Sequence, residues 1–456
     1  MAASPQRFTN AAPLIVPVET QVRELDAKLL LACVAAERGF PVVLGSRTFL
    51  HVGATGLPRG VYLAKSMRRK SARMFSIFQD LGHGIVAWDE EGLVRCPDPQ
   101  YLGRNLSPET LRRTSLLLAW GPDHERVLRM HPDARGLAIR ATGNARIDLV
   151  RPELRSYFDA EVEALRERFG PFLLLNTNFG RLNHFYPDLS EMRTDLDRDA
   201  EDFDATRARH RHALLEHFLQ VVPFIADEFP DHRLVVRPHP SENPGTWRRA
   251  AAGRSNVSVI NEGSVLPWLM AARALIHNGC TTSIEAFLLG TPIVTYRPVI
   301  CESFDDPLPV ALSHEAVDRE GLAKSLRAAV NGELEGRDPA RRAELDRHLV
   351  GIEGELACDR IVDALVDHGY AQGPPPPTSL DRRASARLRC QYRALSKRIS
   401  MIRPGHRNHR DYLRHRFPPV PVEALQARID RFAGVLGRFQ DLRVRRRSHH
   451  VFEIGR

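Results

Sequence analysis

Long apolar runs are missing from this chain. None of its 456 residues fall in a stretch reaching the roughly 18 apolar residues a membrane span needs. The longest runs, 28–36 and 115–120, are short or amphipathic. Residues 1–13 are polar, with no basic segment leading into an apolar one, so no signal peptide is expected. Paired cysteines are missing too. Cys33, Cys96, Cys280, Cys301, Cys358 and Cys390 are scattered and form no C-x-x-C pair. That pattern suits reduced cytoplasmic thiols, not a disulfide framework or a zinc site. The histidines at 210, 212, 449 and 450 lack ligand spacing with Cys or carboxylates, so no metal is assigned. No segment of 20–50 residues repeats.

What is present is an ordinary globular composition, 43% hydrophobic and 27% charged. The length suits two or three domains. The net charge of +9 is unevenly spread. Residues 381–456 hold 20 Arg plus Lys against 6 Asp plus Glu, a net of +14, which leaves −5 for the rest. A nucleic-acid-binding core is therefore not expected, whereas a basic appendage for an anionic partner is compatible with the charge. The tail has no aromatic interleaving of the kind that stacks bases, so no nucleic acid is expected there either.

Short apolar runs alternate with longer segments of helical period. Residues 14–18 read as a strand. Residues 23–38 read as a helix, with Leu25, Leu29, Ala32 and Ala36 near a 3.6 period and Gly39 as its stop. Further strands are expected at 41–44, 61–64, 84–88, 115–120 and 137–140. A second series has strands at 172–175, 234–237, 257–260, 274–277 and 292–296. Its helices are expected at 205–229, 282–289, 314–331 and 338–368. Such alternation implies parallel βαβ units, hence an α/β fold. The expected domains are Rossmann-like, at 10–160 and 165–370. Residues 371–380, with four consecutive prolines, read as a linker. In the tail at 381–456, Leu425, Ile429, Phe432, Leu436, Phe439 and Leu442 recur at the spacing of one amphipathic helix.

Rossmann-like domains bind ligands beyond the carboxyl ends of their strands. Three clusters of the second domain follow strands. In Arg237-Pro238-His239-Pro240-Ser241-Glu242 the flanking prolines push His239 into an extended conformation. A fixed imidazole there can donate to a phosphate or protonate a leaving group, and Arg237 has the geometry to hold phosphate. A rigid surface turn accounts for the same residues. In His277-Asn278-Gly279-Cys280-Thr281-Thr282-Ser283-Ile284-Glu285 a glycine turn and three hydroxyl residues open a helix. Its N–H groups favour an anion, although Thr282-x-x-Glu285 also spells a capping box. Glu285 can alternatively bond a ribose diol. Asn176-Thr177-Asn178-Phe179-Gly180 suits a loop close to a ligand, or an Asx turn.

In the first domain, Asp89-Glu90-Glu91-Gly92 follows Trp88. Adjacent carboxylates raise one another's pKa, which suits a base; a solvated acidic turn is the alternative. Arg23, Glu24 and Asp26 line a cleft or form a helix's first turn. Asp195-x-Asp197 can hold a metal on a nucleotide, but it sits in an acidic run interleaved with Arg and reads as a solvated linker or helix start.

Together, Arg237-Pro238-His239-Pro240, the run from His277 through Glu285 to Ala286, and Gly290-Thr291-Pro292-Ile293 resemble the donor half of GT-B glycosyltransferases. They resemble more closely the bacterial surface carbohydrate (capsule and lipopolysaccharide) biosynthesis proteins. Leu14-Ile15-Val16-Pro17-Val18-Glu19, Arg23-Glu24-Leu25-Asp26, the Asp89–Gly92 turn and Thr142-Gly143-Asn144-Ala145-Arg146-Ile147-Asp148 are similar to that group as well. The likeness runs over 12–300, with weaker signs to 435.

The resemblance implies two Rossmann-like domains facing across a cleft (GT-B), with a basic helical C-terminal extension. Bacterial sialyl-, polysialyl- and some Kdo transferases share a His-Pro, a Ser/Thr and an acidic motif ending in Gly. Wall-polymer glycerophosphate transferases share the first two. Carried over, His239 stabilises the departing phosphate. Gly279, Thr281, Thr282 and Ser283 hold phosphate with Arg237, and Asn176, Thr177 and Asn178 join the nucleotide site. Glu285 contacts ribose. Glu91 is the base with Glu90 behind it, though the turn reads Asp-Glu-Glu-Gly and leaves the active carboxylate open, as it leaves retention or inversion.

The activity implied is metal-independent glycosyl transfer from a nucleotide-sugar, CMP-linked, to a surface polysaccharide or lipid-linked acceptor, with no cofactor. The place implied is cytoplasmic, peripheral on the inner membrane. Rivals are a glycerophosphate-type transferase, a nucleotide-sugar epimerase, which also carries a Gly-Asn-x-x-x-Asp element as at 143–148, and a non-catalytic glycan-assembly or export scaffold. The tail is expected to dock on an anionic membrane surface, through an amphipathic helix at 422–443 or with that helix folded back on the body.

Overall fold

The computed structural model describes residues 6–95, 98–189, 203–406 and 408–456. The Asp195-x-Asp197 run and Cys96 lie outside them. The chain divides into two compact units. One holds the N-terminal residues to Tyr157 (all but 94–96) and Asp346–Arg456; the other holds Phe158–Leu345 with 94–96.

The first unit is built on β1 (Leu14–Val18), β2 (Val42–Ser46), β3 (Val61–Ala64), β4 (Gly84–Trp88), β5 (Leu116–Ala119) and β6 (Ala138–Ala141). They pair in parallel in the order β2-β1-β3-β4-β5-β6. The order reverses beside β1, the position where open α/β sheets bind ligands. β1, β2, β3 and β5 are buried along their whole length, as continuous Val/Leu/Ile runs covered on both faces must be.

The second unit has β7 (Phe172–Asn176), β8 (Arg233–Arg237), β9 (Val257–Val259), β10 (Ala274–His277), β11 (Ile293–Tyr296) and β12 (His314–Ala316). Their order is β12-β11-β10-β7-β8-β9, all parallel. This is the doubly wound Rossmann arrangement, with its switch between β7 and β10. Its core packs Leu173, Leu175, Phe218, Val236, Trp247 and Ile276.

Two expected helices are divided. Residues 314–331 form β12 and then a helix Arg319–Val330, because the Asp318 side chain caps the helix by accepting from Gly321 N. Residues 338–368 form Pro339–His348 and Ala357–Asp367, with Gly351 and Gly354 between them at φ +83° and +71°. The second unit accordingly ends at Leu345, short of the expected 370. Helix Ala357–Asp367 belongs to the first unit. Its start is held by the Asp148 carboxylate, which accepts from Ala357 N at 2.7 Å and Cys358 N at 2.8 Å.

Residues 381–456 are integrated into the first unit. β13 (Arg443–Ser448) and β14 (Val451–Gly455) pair with each other, and β14 pairs antiparallel with β2, extending the sheet to eight strands. The helix Val422–Leu436 buries Leu425, Ile429 and Phe432, the last stacked on Tyr157 at 4.2 Å. Its apolar face is thus covered by the body. Gly437, at φ +67°, ends it, so Phe439 and Leu442 are buried beyond the helix rather than on it. Several tail arginines pair with acids of the body: Arg416 with Glu19 (2.7 Å), Arg428 with Asp26 (2.6 Å), and Arg438 with Glu37 (2.5 Å) and Asp359 (2.9 Å). Among the described residues no helix is long and apolar enough to cross a membrane.

Candidate functional site

In the second unit the three sequence clusters leave the carboxyl ends of β7, β8 and β10, adjacent strands at the switch. Glu242 joins the first two loops. One carboxylate oxygen accepts from Thr177 Oγ1 (2.8 Å), Phe179 N (3.0 Å) and His239 N (3.1 Å). The other accepts from Trp247 Nε1 (2.9 Å) and Asn183 Nδ2 (3.4 Å). Burial pushes this carboxyl up, and the bonds from Phe179, Thr177, Trp247 and His239 oppose the shift. Gly180 is required where these loops meet, since a Cβ there would run into Ser241 Oγ.

His239 is half-buried. Its Nδ1 accepts from Ser241 N at 3.1 Å and lies 2.7 Å from Ser241 Oγ. A neutral imidazole that accepts at Nδ1 carries its proton on Nε2, so the ring is held as a donor. Arg237 is engaged elsewhere. Its terminal nitrogens donate to the carbonyls of Glu262 (2.6 Å) and Gly263 (2.5 Å), and its guanidinium lies 5.3 Å over the Trp268 ring. Burial pushes it down to about 9. The geometry makes it a brace for the loop at 262–263, not a group turned to a ligand.

The third loop is set by His277, fully buried and pushed down to about 3 by desolvation. Its Nδ1 accepts from Gly279 N at 2.9 Å, and its Nε2 donates to Ser313 Oγ at 2.9 Å. Gly279 takes φ +91°. The helix Thr281–Leu289 follows, with Cys280 at its N-cap and no side-chain cap. The capping box is therefore not formed. Thr282 Oγ1 instead accepts from Asn176 Nδ2 at 3.3 Å, and Ser283 Oγ donates to Cys280 O at 2.8 Å. Thr281, which opens the helix, and Glu285, one turn further on, are both buried. Asn178 Nδ2 donates to Gly279 O at 3.4 Å, closing the first and third loops on each other.

Among the described residues, the buried Asn176 Oδ1 and both amide atoms of Asn278 have no hydrogen-bond partner. Leaving such an atom unpaired costs about 1–3 kcal/mol. Three of them at one sheet edge mark where a polar ligand is accommodated. Beside them a cavity of about 560 Å³ is lined by Asn178, Gly180, Ser241, Arg181, Arg207 and Arg211. Its size suits a small organic ligand, and its guanidiniums suit an anionic one. Ser241, Glu242 and these arginines had no role assigned from sequence. The available signal was Arg207 and Arg211, four residues apart on one helix face.

In the first unit the carboxyl ends of β1, β3 and β4 carry a charged cluster. Lys28, buried where the helix Gln21–Glu37 turns from polar to apolar residues, donates to Pro17 O (2.8 Å) and Glu24 (2.7 Å) and pairs with Glu90 (3.2 Å). Lys65 bridges Glu19 (2.9 Å) and Glu24 (2.8 Å). Burial works to raise both carboxyls, but Lys65, Arg47 and Arg416 outweigh it at Glu19 and Lys28 and Lys65 outweigh it at Glu24, holding both below the usual range. Glu90 also accepts from Trp88 Nε1 at 2.9 Å. Lys28 and Lys65 were missed. The signal for Lys28 was a charge at the head of the apolar run 28–36, four residues after Glu24.

The acidic turn splits into three roles. Asp89 is buried and accepts from Asn105 Nδ2 (2.8 Å) and Tyr101 OH (3.0 Å), and burial raises it. Tyr101 OH in turn contacts His124 Nε2 at 2.9 Å. Glu90 is buried in the lysine cluster. Only Glu91 of the three is exposed, its side chain 43% accessible and paired with Arg23 at 2.8 Å. Partial desolvation raises it, but Arg23 and then Arg146 prevail and hold it at about 2. Gly92 is needed because a Cβ would lie 2.5 Å from the His124 ring. The Gly143–Asp148 element holds the returning segment: a Cβ on Gly143 (φ +79°) would lie 2.5 Å from Val350 O, and Asp148 caps the helix Ala357–Asp367.

No family model matches the chain, and no curated protein is similar to it. Among solved structures, that of S. aureus MnaA with UDP is similar at TM-score 0.50 and 12% identity, over 81% of this chain and 100% of that one. The Methanocaldococcus jannaschii UDP-GlcNAc 2-epimerase in complex with UDP-GlcNAc and UDP is similar at TM-score 0.48 and 14% identity, over 78% and 99%. The trehalose 6-phosphate synthase of Burkholderia multivorans is similar at TM-score 0.44 and 10% identity, over 81% and 100%. At the first of these similarities the fold is shared: the chain is an α/β protein of two Rossmann-like domains, of the GT-B type.

Proposed function

We propose that this chain is a glycosyltransferase that moves a sugar from a nucleotide-activated donor to a bacterial surface polysaccharide or lipid-linked acceptor. The observation that carries the reading is one sheet edge, at the switch between β7 and β10, that joins an imidazole held as a donor, a helix start without a side-chain cap and buried amide atoms without partners. Such groups stabilise a departing nucleotide phosphate. In the reaction the acceptor hydroxyl gives its proton to a carboxylate and its oxygen bonds the anomeric carbon. The bond from that carbon to the donor phosphate breaks, and the phosphate leaves with the electron pair, stabilised by the His239 proton. Glu91 is the carboxylate we assign as base. Thr281, Thr282, Ser283, Asn176 and Asn178 hold the nucleotide, with Glu285 toward its ribose. A CMP-linked donor follows from the family resemblance of the His-Pro and Ser/Thr motifs.

The test begins with thermal shifts against CMP, CDP and UDP. Donor turnover is then measured with and without glycan acceptors. CMP is expected to raise the melting temperature, turnover to require acceptor, and His239→Ala and Glu91→Gln each to lower it at least 100-fold. Donor conversion without acceptor points to an epimerase. No shift with any nucleotide points to a scaffold. Transfer left intact in both variants removes the mechanism.

A further inference from the structure

The helix Leu380–Met401 turns its large apolar side chains outward. Its buried residues are small, Ala386 and Cys390. Arg382 and Arg389 tie it to Asp80 of the body at 2.8 and 2.5 Å. Leu388 and Tyr392 are each 68% exposed, Leu395 59%, Ile399 44% and Ile402, just past the helix, 72%. Steps of four, three, four and three residues place these five on one stripe. A contiguous exposed apolar stripe marks a surface that something covers.

The charge around it identifies the cover. The helix carries seven basic residues and one acidic residue, Asp381. At about 100° per residue, Arg387 and Arg398 border the stripe on one side and Arg403 on the other; all three are exposed. Arg73, also exposed, stands 5.8 Å over the Tyr392 ring. A second copy of the helix would set rows of like charge against each other. An anionic bilayer meets the stripe with acyl chains and the arginines with phosphate headgroups.

We propose that the helix Leu380–Met401, rather than Val422–Leu436, is a membrane-surface anchor that lies in the headgroup plane of anionic bilayers. The inference is independent of the nucleotide site. The full chain is sedimented with vesicles of phosphatidylglycerol and phosphatidylcholine, and with phosphatidylcholine alone. Binding is expected to the mixed vesicles only, and to weaken with salt. The pairs Leu388→Gln with Leu395→Gln, and Arg387→Gln with Arg398→Gln, are each expected to bind at least tenfold more weakly at an unchanged melting temperature. Ile402→Gln, beyond the helix end, gives an independent variant should one pair fold poorly. Wild type that stays unbound, binds neutral vesicles equally, or binds no better than the variants overturns the proposal. So does light scattering that shows a dimer split by the Leu388/Leu395 pair, since a second copy then covers the stripe.

Discussion

Glu91 and Arg23 form an ion pair at 2.8 Å, and that pair governs what the carboxylate can do. If Glu91 is the base, as we propose, a carboxylate held at about 2 stays ionised throughout the working range but has little affinity for a proton. On the proposed reaction Arg23 is a positioning residue, displaced or shared when an acceptor hydroxyl approaches. Arg23→Ala removes the main influence holding Glu91 down, so its pKa rises toward the ordinary 4.5. The acid limb of kcat/KM against pH, absent above about pH 4 in the wild type, is expected to move up into the range near 4.5. A profile unmoved by the substitution takes Glu91 out of the proton transfer. This distinction was not legible in the sequence. Asp89, Glu90 and Glu91 are neighbours in the chain, and only the partners Asn105, Lys28 and Arg23, each from another segment, separate their roles.

The elements show why some of the fold could be read and some could not. β1, β3, β4 and β10 have the bounds expected of them, because a strand buried on both faces is written as a continuous apolar run between turn residues. The loops after β7, β8 and β10 were legible for the related reason that Gly and Pro punctuate strand ends. β13 reads Arg-Val-Arg-Arg-Arg-Ser and carries no such signal. It is a strand because β14 offers it an edge, and β14 is one because β2 does. That edge depends on Gly45, where a Cβ would run into the His450 carbonyl and lie 2.9 Å from Val451 Cα. Gly45→Ala is expected to destabilise the first unit by about 1–3 kcal/mol, the usual cost of overpacking, and to lose hydrogen-exchange protection along β14. Gly56→Ala, with open space around the added carbon, is the control and stays near wild type. Equal protection in both variants removes the dependence on Gly45.

For the whole molecule, the basic surplus in the last 76 residues resolves into two populations. Arg416, Arg428 and Arg438 sit against acids of the body, whereas Arg387, Arg398 and Arg403 face solvent. The paired group holds the tail in the fold, so the acid response of the protein is set by its interior. Burial pushes His277 down to about 3, and His83 and His450 to about 4. On unfolding each regains an ordinary value near 6.5, so the unfolded chain binds more protons and stability falls as pH drops below 6.5. By pH 5 this amounts to about 2 kcal/mol for each histidine. Asp148 acts in the other direction. Burial raises it from 3.8 to about 6, so its contribution is full below 3.8 and lost as pH rises through 6. Acidification from pH 7 to 5 returns about 1 kcal/mol from that group. The depressed carboxylates Glu24 and Glu91 lose their contribution only below 4.5 and stay out of this window. Asp89 and Glu242, also raised by burial, act with Asp148, and His51, held well below its ordinary value by burial, acts with the other histidines; guanidinium unfolding is expected to show lower stability at pH 5 than at pH 7. Equal midpoints at the two pH values would mean that the buried imidazoles are protonated in the folded state.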